Sequence, residues 1–192
     1  MEIILASASP RRAELLDQIG VKYKVQVTDI NEDELPNESA EDLVQRLAKE
    51  KSQALGESVS LPVLGADTLG VLEGELLVKP RDFDHAHEML SNMSGQWHEI
   101  LSAVAITYKG NTHVKLNRNR VLFRPLSDDE IKAYWGTGEP KDKAGAYAIQ
   151  GLAAPFIERI EGSYSGIMGL PLFETAQLLE KLKESLIKSI RI

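Results

Sequence analysis

Ser7-Ala8-Ser9-Pro10-Arg11-Arg12 places two hydroxyls and two guanidiniums where a short apolar run gives way to a helical pattern. The first turn of a helix presents amide hydrogens with no partner inside the helix, together with the positive end of its dipole. Hydroxyls and guanidiniums there suit an anion such as phosphate. Two readings of the segment stay open: an anion site, or an ordinary Ser-Pro cap followed by a solvated arginine pair. Arginine in a first turn opposes the dipole, which favours a ligand that offsets it.

Asp67, within Gly65-Ala66-Asp67-Thr68, follows an apolar run and is expected at the C-terminal end of a strand, where α/β folds bind ligands. A lone carboxylate in that place suits a divalent cation or general-base work on water; the alternative is a turn-forming Asp. The acidic stretch of Asp29, Glu32, Asp33 and Glu34 offers a second carboxylate for a metal, with most of its charges solvated. Lys51 falls on a helical stripe where an apolar residue is expected, and Lys79-Pro80-Arg81 closes a strand pattern. Singly, such lysines are surface residues. Gathered with Arg11 and Arg12, they would form one basic pocket suited to a triphosphate with its Mg²⁺.

Other chemistries lose their support. His85, His87, His98 and His113 show no paired-ligand spacing, so zinc is not expected, and there is no Walker A loop, GxGxxG or GxSxG element. With no cysteine there is no thiolate site, disulfide framework or cysteine nucleophile.

The elements that must position these residues follow from periodicity. Ile3 to Ala6 reads as a strand, and Ser9, Pro10 and Gly20 as the cap, first residue and stop of a helix. Val21 to Val27 alternates like a strand. Ser39 caps a second helix whose stripe runs from Ala40 through Leu55 and stops at Gly56. Pro62 to Ala66 reads as a buried strand, Leu69 to Val78 as a hairpin around Glu73-Gly74, and Phe83 to Met93 as a helix. His98 to Tyr108 and Thr112 to Phe123 are strands about a turn, and Ser127-Asp128-Asp129-Glu130 is a capping box. Asp142 to Gly151 is a small-residue loop, Phe156 to Ile160 a strand, Gly162 to Gly166 a turn, and Pro171 opens a last helix. Helices interleaved with partly hairpin-linked strands predict an α/β domain with a mixed central sheet flanked by helices, a single unit over residues 1–192 in two lobes with a cleft.

The 192 residues carry 22 Lys+Arg against 29 Asp+Glu, a net charge of -7, and 6% aromatics. That balance argues against sequence-independent nucleic-acid binding and places any anionic ligand at a local basic site. The N-terminal apolar run is shorter than a signal peptide's and no stretch approaches a membrane span, so a cytoplasmic protein without a membrane partner is expected.

Six motifs in order carry a resemblance over nearly the whole chain: Ser7 to Arg12, Gly65 to Thr68, Lys79 to Asp82, Met93-Ser94-Gly95-Gln96-Trp97-His98, Asp142 to Gly151, and Gly162-Ser163-Tyr164 through Pro171. The chain resembles the Maf family of nucleoside triphosphate pyrophosphatases. That resemblance implies an inosine-triphosphatase-like (Maf/Ham1) fold, commonly dimeric, that hydrolyses a nucleoside triphosphate to monophosphate and pyrophosphate with Mg²⁺ or Mn²⁺. It implies Asp67 as the base or metal-linked carboxylate, Glu32 as a further metal carboxylate, and Ser7, Arg11, Arg12, Lys51 and Lys79 on the phosphates. Arg12, Thr68 and Gln150 match the combination of the dTTP/UTP subgroup. The sequence departs from the family at Ser102, where Thr is usual, and at Ala153-Ala154-Pro155, which replaces a more glycine-rich turn. A rival reading is a nucleotide-binding regulatory module of cell division that does not turn its ligand over.

Overall fold

Apolar positions recurring every second residue form strands and those recurring every three to four form helices. The computed structural model describes residues 1–190, apart from the side chains of residues 57 and 185–190. Its elements are β1 (Glu2–Leu5), α1 (Pro10–Gln18), β2 (Lys22–Val25), α2 (Ala40–Gln53), β3 (Val63–Leu72), β4 (Glu75–Leu77), α3 (Phe83–Met93), β5 (Trp97–Tyr108), β6 (Asn111–Phe123), α4 (Asp128–Gly136), β7 (Ile157–Glu161), α5 (Tyr164–Met168) and α6 (Leu172–Ile190). Strands hydrogen-bond in the order β2-β1-β3-β5-β6-β7, with β4 joined to β3. β1 runs parallel to β2 and β3, whereas β4 on β3 and β7 on β6 are antiparallel, so the α/β sheet is mixed as its hairpins imply. No helix among the described residues is long and apolar enough to cross a membrane.

The chain divides into two compact units. The first comprises Met1–Thr68, Ser102–Asn117 and Gly169–Ile192; the second comprises Leu69–Leu101 and Arg118–Met168. In the first, α2 buries Leu43, Val44, Leu47 and Ala48, the stripe its sequence announces, behind a Ser39 cap that accepts the Asp42 amide. Its approach to β3 depends on Gly65. A Cβ at that position would stand 2.5 Å from the Ser52 nitrogen and closer still to the Ala48 carbonyl oxygen. The missing side chain lets α2 settle against the strand, next to Lys51.

The second unit packs α3 and α4 around Leu90, Met93, Phe123, Ile131 and Phe156, all buried. Phe123 meets Tyr147 edge-on with ring centroids 4.8 Å apart, and Tyr134 meets Phe156 at 5.2 Å. The α4 capping box forms in full: Ser127 accepts from the Glu130 amide, and Glu130 accepts from the Ser127 amide.

Several local expectations need correction. β3 does not stop at Ala66 but runs to Leu72, because Leu69, Val71 and Leu72 keep the extended pattern into the β4 hairpin. Asp67 is therefore in mid-strand, not at a strand end. β2 is shorter than Val21 to Val27. The turn expected over Gly162 to Gly166 contains the start of α5, where the Ser163 hydroxyl accepts the Gly166 amide and carries the turn into a helix.

Candidate active site

Ser9 occupies the cap position of α1, yet its hydroxyl makes no capping bond. The task passes to Ser7, whose Oγ accepts the Ser9 amide at 3.2 Å and Arg12 Nη1 at 3.1 Å. A hydroxyl has two acceptor positions and one proton. With both positions used, Ser7 keeps its proton to give to an acceptor, the polarity a phosphate oxygen needs. Arg12 is fixed again by Nε, which donates to the Gly169 carbonyl at 2.8 Å. Burial pushes the Arg12 pKa down, with the neighbouring Asp67 opposing that shift. Arg11 Nε is buried and, among the described residues, has no hydrogen-bond partner.

Asp67 is 7% exposed on β3, and Lys51 of α2 brings its Nζ to 2.7 Å from Asp67 Oδ1 and 2.8 Å from Glu32 Oε1. Lys51 thus leaves its apolar stripe because a buried carboxylate awaits it on β3. Burial raises the Asp67 pKa; Lys51 and Arg12 pull it back, and Glu32 adds to the rise. Glu32 belongs to the acidic loop, which is tied to α2 by Arg46. That guanidinium grips Glu38 with two bonds of 2.6 and 2.9 Å and also donates to the Asp33 carbonyl at 2.8 Å. The clamp holds Glu38 at about 2.

Thr68 follows on the strand. Its hydroxyl donates to the Gly169 carbonyl at 3.4 Å and lies 2.8 Å from the Ser102 hydroxyl. Gly169 has φ +125°, a conformation that excludes a side chain without strain, and it turns its carbonyl toward both Arg12 and Thr68.

Ser7, Arg11, Arg12, Glu32, Lys51, Asp67 and Thr68 all belong to the first unit, and the contacts above join Ser7 to Arg12, Arg12 to Thr68 through Gly169, and Lys51 to both Asp67 and Glu32. Lys79 and Gln150 belong to the second unit and are both exposed. Lys79 lies near Asp142 and helps hold that carboxyl below its usual value, behind the larger effect of Lys143. Gln150 precedes a segment stapled by Glu139, which accepts the Leu152 amide at 3.0 Å and the Tyr134 hydroxyl at 2.7 Å.

The sequence reading gave no site role to Ser102, Gly169, Arg46 or Glu139. Ser102 had a signal, a polar residue inside the apolar run Leu101 to Ile106. The Gly169 contribution is a main-chain oxygen, which every residue type possesses.

For a divalent ion, the described residues contain no group of three or more His, Cys, Asp or Glu side chains placed to hold one. Two hard oxygen donors, from Asp67 and Glu32, do converge on a point that already accommodates the Lys51 ammonium. Magnesium is commonly held by one or two carboxylates, with waters and substrate phosphates completing its shell. The donor set fits a cation delivered with a triphosphate better than a caged resident ion.

The chain is similar to known proteins over most of its length. A protein of Hahella chejuensis named dTTP/UTP pyrophosphatase is 50% identical over 183 residues, covering 93% of this chain and 91% of its own. One of the same name from Methylobacillus flagellatus is 54% identical over 180 residues, covering 92% and 90%. The solved structure of a HAM1 protein from Coxiella burnetii superposes with a TM-score of 0.50 at 15% identity, over 94% of this chain and 99% of that one, a likeness of fold. The family model described as Maf-like protein matches residues 2–182, and the chain belongs to that family.

Proposed function

We propose that the chain hydrolyses dTTP and UTP to the nucleoside monophosphate and pyrophosphate, with Asp67 as the general base. One observation carries the reading. A buried carboxylate of raised pKa is paired to Lys51 at 2.7 Å, inside a chain half-identical to dTTP/UTP pyrophosphatases. A carboxylate whose pKa is raised by burial is a stronger base than a solvated one.

Attack at the α-phosphorus builds negative charge on the phosphate oxygens, which the site's cations meet. Arg11, Arg12 and Lys51 supply that charge and the Ser7 proton adds a directed donor. An anionic ligand would also satisfy the buried Arg11 Nε. Lys79 adds a further cation on the phosphates. Lys51 holds Oδ1 of Asp67 so that the carboxylate keeps one orientation while it takes the proton of the attacking water. Asp67 and Glu32 would hold a divalent cation, Mg²⁺ or Mn²⁺, whose chemistry when bound is charge neutralisation on the phosphates. Arg12, Thr68 and Gln150 set the choice of base.

The test is incubation of the protein with a panel of nucleoside triphosphates and Mg²⁺ or Mn²⁺, resolving pyrophosphate from orthophosphate. Pyrophosphate from dTTP and UTP is the expected result. Binding without hydrolysis would make the chain a nucleotide-responsive module instead, and orthophosphate would make it a phosphatase.

A further inference from the structure

Ser52 is 1% exposed and continues the buried stripe of α2 one turn beyond Ala48, where a helix that only packs would do as well with alanine. Its hydroxyl has one proton, and the surrounding groups decide where that proton goes. Ser52 Oγ donates to the Lys49 carbonyl at 2.7 Å, so in its 2.7 Å bond with the Thr107 hydroxyl it accepts. Thr107, having given its proton, accepts from the Thr112 hydroxyl at 2.9 Å, and Thr112 accepts from Gln53 Nε2 at 2.9 Å. The protons therefore run one way, from Gln53 through Thr112 and Thr107 to Ser52 and the Lys49 carbonyl. This chain of bonds begins and ends on α2 and takes in both β5 and β6.

The last turn of a helix is where fraying begins, because its carbonyls lack partners inside the helix. Lys51 stands in that turn of α2, yet it holds Asp67 at 2.7 Å and Glu32 at 2.8 Å. Apolar burial presses α2 against the sheet without fixing its place along its own axis, since burial has no direction; a hydrogen bond has one. Gly65 of β3 admits the main chain of Ser52 on one side, and the Ser52 hydroxyl reaches Thr107 of β5, so the turn is held against two strands. We propose that Ser52 and Thr107 are positioning residues: their hydroxyl bond fixes the last turn of α2 and so sets the Lys51 ammonium on Asp67 in the orientation that turnover requires. The kinetic consequence rests on the hydrolytic reading of Asp67, whereas the placing of Lys51 stands on the hydrogen bonds alone.

The experiment reads the lysine and the turnover separately, in the full chain. Ammonium hydrogens held in a shielded ion pair exchange slowly with water, so side-chain nitrogen NMR of isotope-labelled lysine should show a resolved Lys51 signal, assigned by its loss in Lys51→Met. Pyrophosphate release from dTTP with Mg²⁺ gives kcat. Ser52→Ala and Thr107→Val, each lacking one hydroxyl, are expected to broaden or erase the Lys51 signal and to lower kcat about tenfold, less than the roughly 100-fold that a displacement of about 1 Å costs. Thr107→Ser keeps the hydroxyl and is expected to keep both the signal and kcat. A Lys51 signal that survives both deletions, that is lost equally in Thr107→Ser, or that is absent from the wild type overturns the proposal, as does a loss of stability to urea with kcat unchanged. If the wild type releases no pyrophosphate while the signal follows the hydroxyls as expected, the hydrolytic reading fails and the placing of Lys51 by Ser52 and Thr107 stands.

Discussion

The Lys51 ammonium lies 2.7 Å from Asp67 Oδ1, and that pair sets the cation that does most to offset the carboxylate's burial directly upon it. Replacing the carboxylate by an amide of the same shape removes the base and keeps the volume. Asp67→Asn is expected to lower kcat by at least ~100-fold, the lower range of general-base contributions, while circular dichroism stays native. Near-normal turnover in this variant would remove Asp67 from the role.

The pH profile of kcat/KM should show the same group. Asp67 must be ionised to act, and burial raises its pKa, so the acid limb is expected above the ordinary carboxylate value of 3.8. Lys51 lowers that pKa, so Lys51→Met should move the limb to higher pH; Glu32 raises it, so Glu32→Gln should move the limb to lower pH. Stability runs with the same sign. A carboxyl whose folded pKa exceeds its unfolded one costs stability as pH rises past the unfolded value, so Asp67→Asn should unfold no earlier than the parent at neutral pH. Shifts of the limb in the opposite directions would show that another group is being titrated.

His98 offers a pH test of the second unit. It is 1% exposed, its Nε2 lies 2.7 Å from the Tyr147 hydroxyl, and burial lowers its pKa to about 4. In the unfolded chain the imidazole takes a proton near pH 6.5, so the folded state loses stability as pH falls from that value toward 4. The loss amounts to about 3 kcal/mol across the window. Urea unfolding at pH 7.5 and pH 5 should show it, and His98→Gln should flatten the difference. A parent protein equally stable at both values would contradict the burial of a neutral ring.

Gly65→Ala tests the spacing of α2 from β3. The added methyl meets main-chain atoms at Ala48 and Ser52, which cannot swing aside as side chains do. Overpacking of this kind costs about 1–3 kcal/mol, measurable in urea, and it displaces Lys51, the residue next to Ser52. Both stability and kcat/KM are expected to fall. A stability loss with unchanged kcat/KM would show that Lys51 tolerates the displacement.

Legibility in the sequence followed the range of the interaction. The α4 capping box was readable because both of its bonds close within Ser127 to Glu130. The stripe of α2 was readable from spacing, and Lys51 stood out because a charge interrupts that stripe. The extent of β3 was misread because Asp67-Thr68 looks like punctuation; only Lys51, sixteen positions away, shows why a carboxylate sits inside the strand. The Arg46 grip on Glu38 and Asp33 was not legible either, since its partners lie in a loop of no fixed period. The resemblance supplied names for the site residues but said nothing of how Ser7 and Thr68 orient their protons.

Gly169 joins Arg12 and Thr68 through a carbonyl that no substitution can delete. A contact made by a side chain can be exchanged in one mutational step, whereas this one changes only if the backbone itself is redirected. Any residue other than glycine there would have to adopt φ +125°. Laboratory evolution toward new bases should therefore find its early steps in side chains, among them Arg12, Thr68 and Gln150, proposed above to set the choice of base. The oxygen at 169 should persist in every survivor, a fixed point around which selectivity drifts.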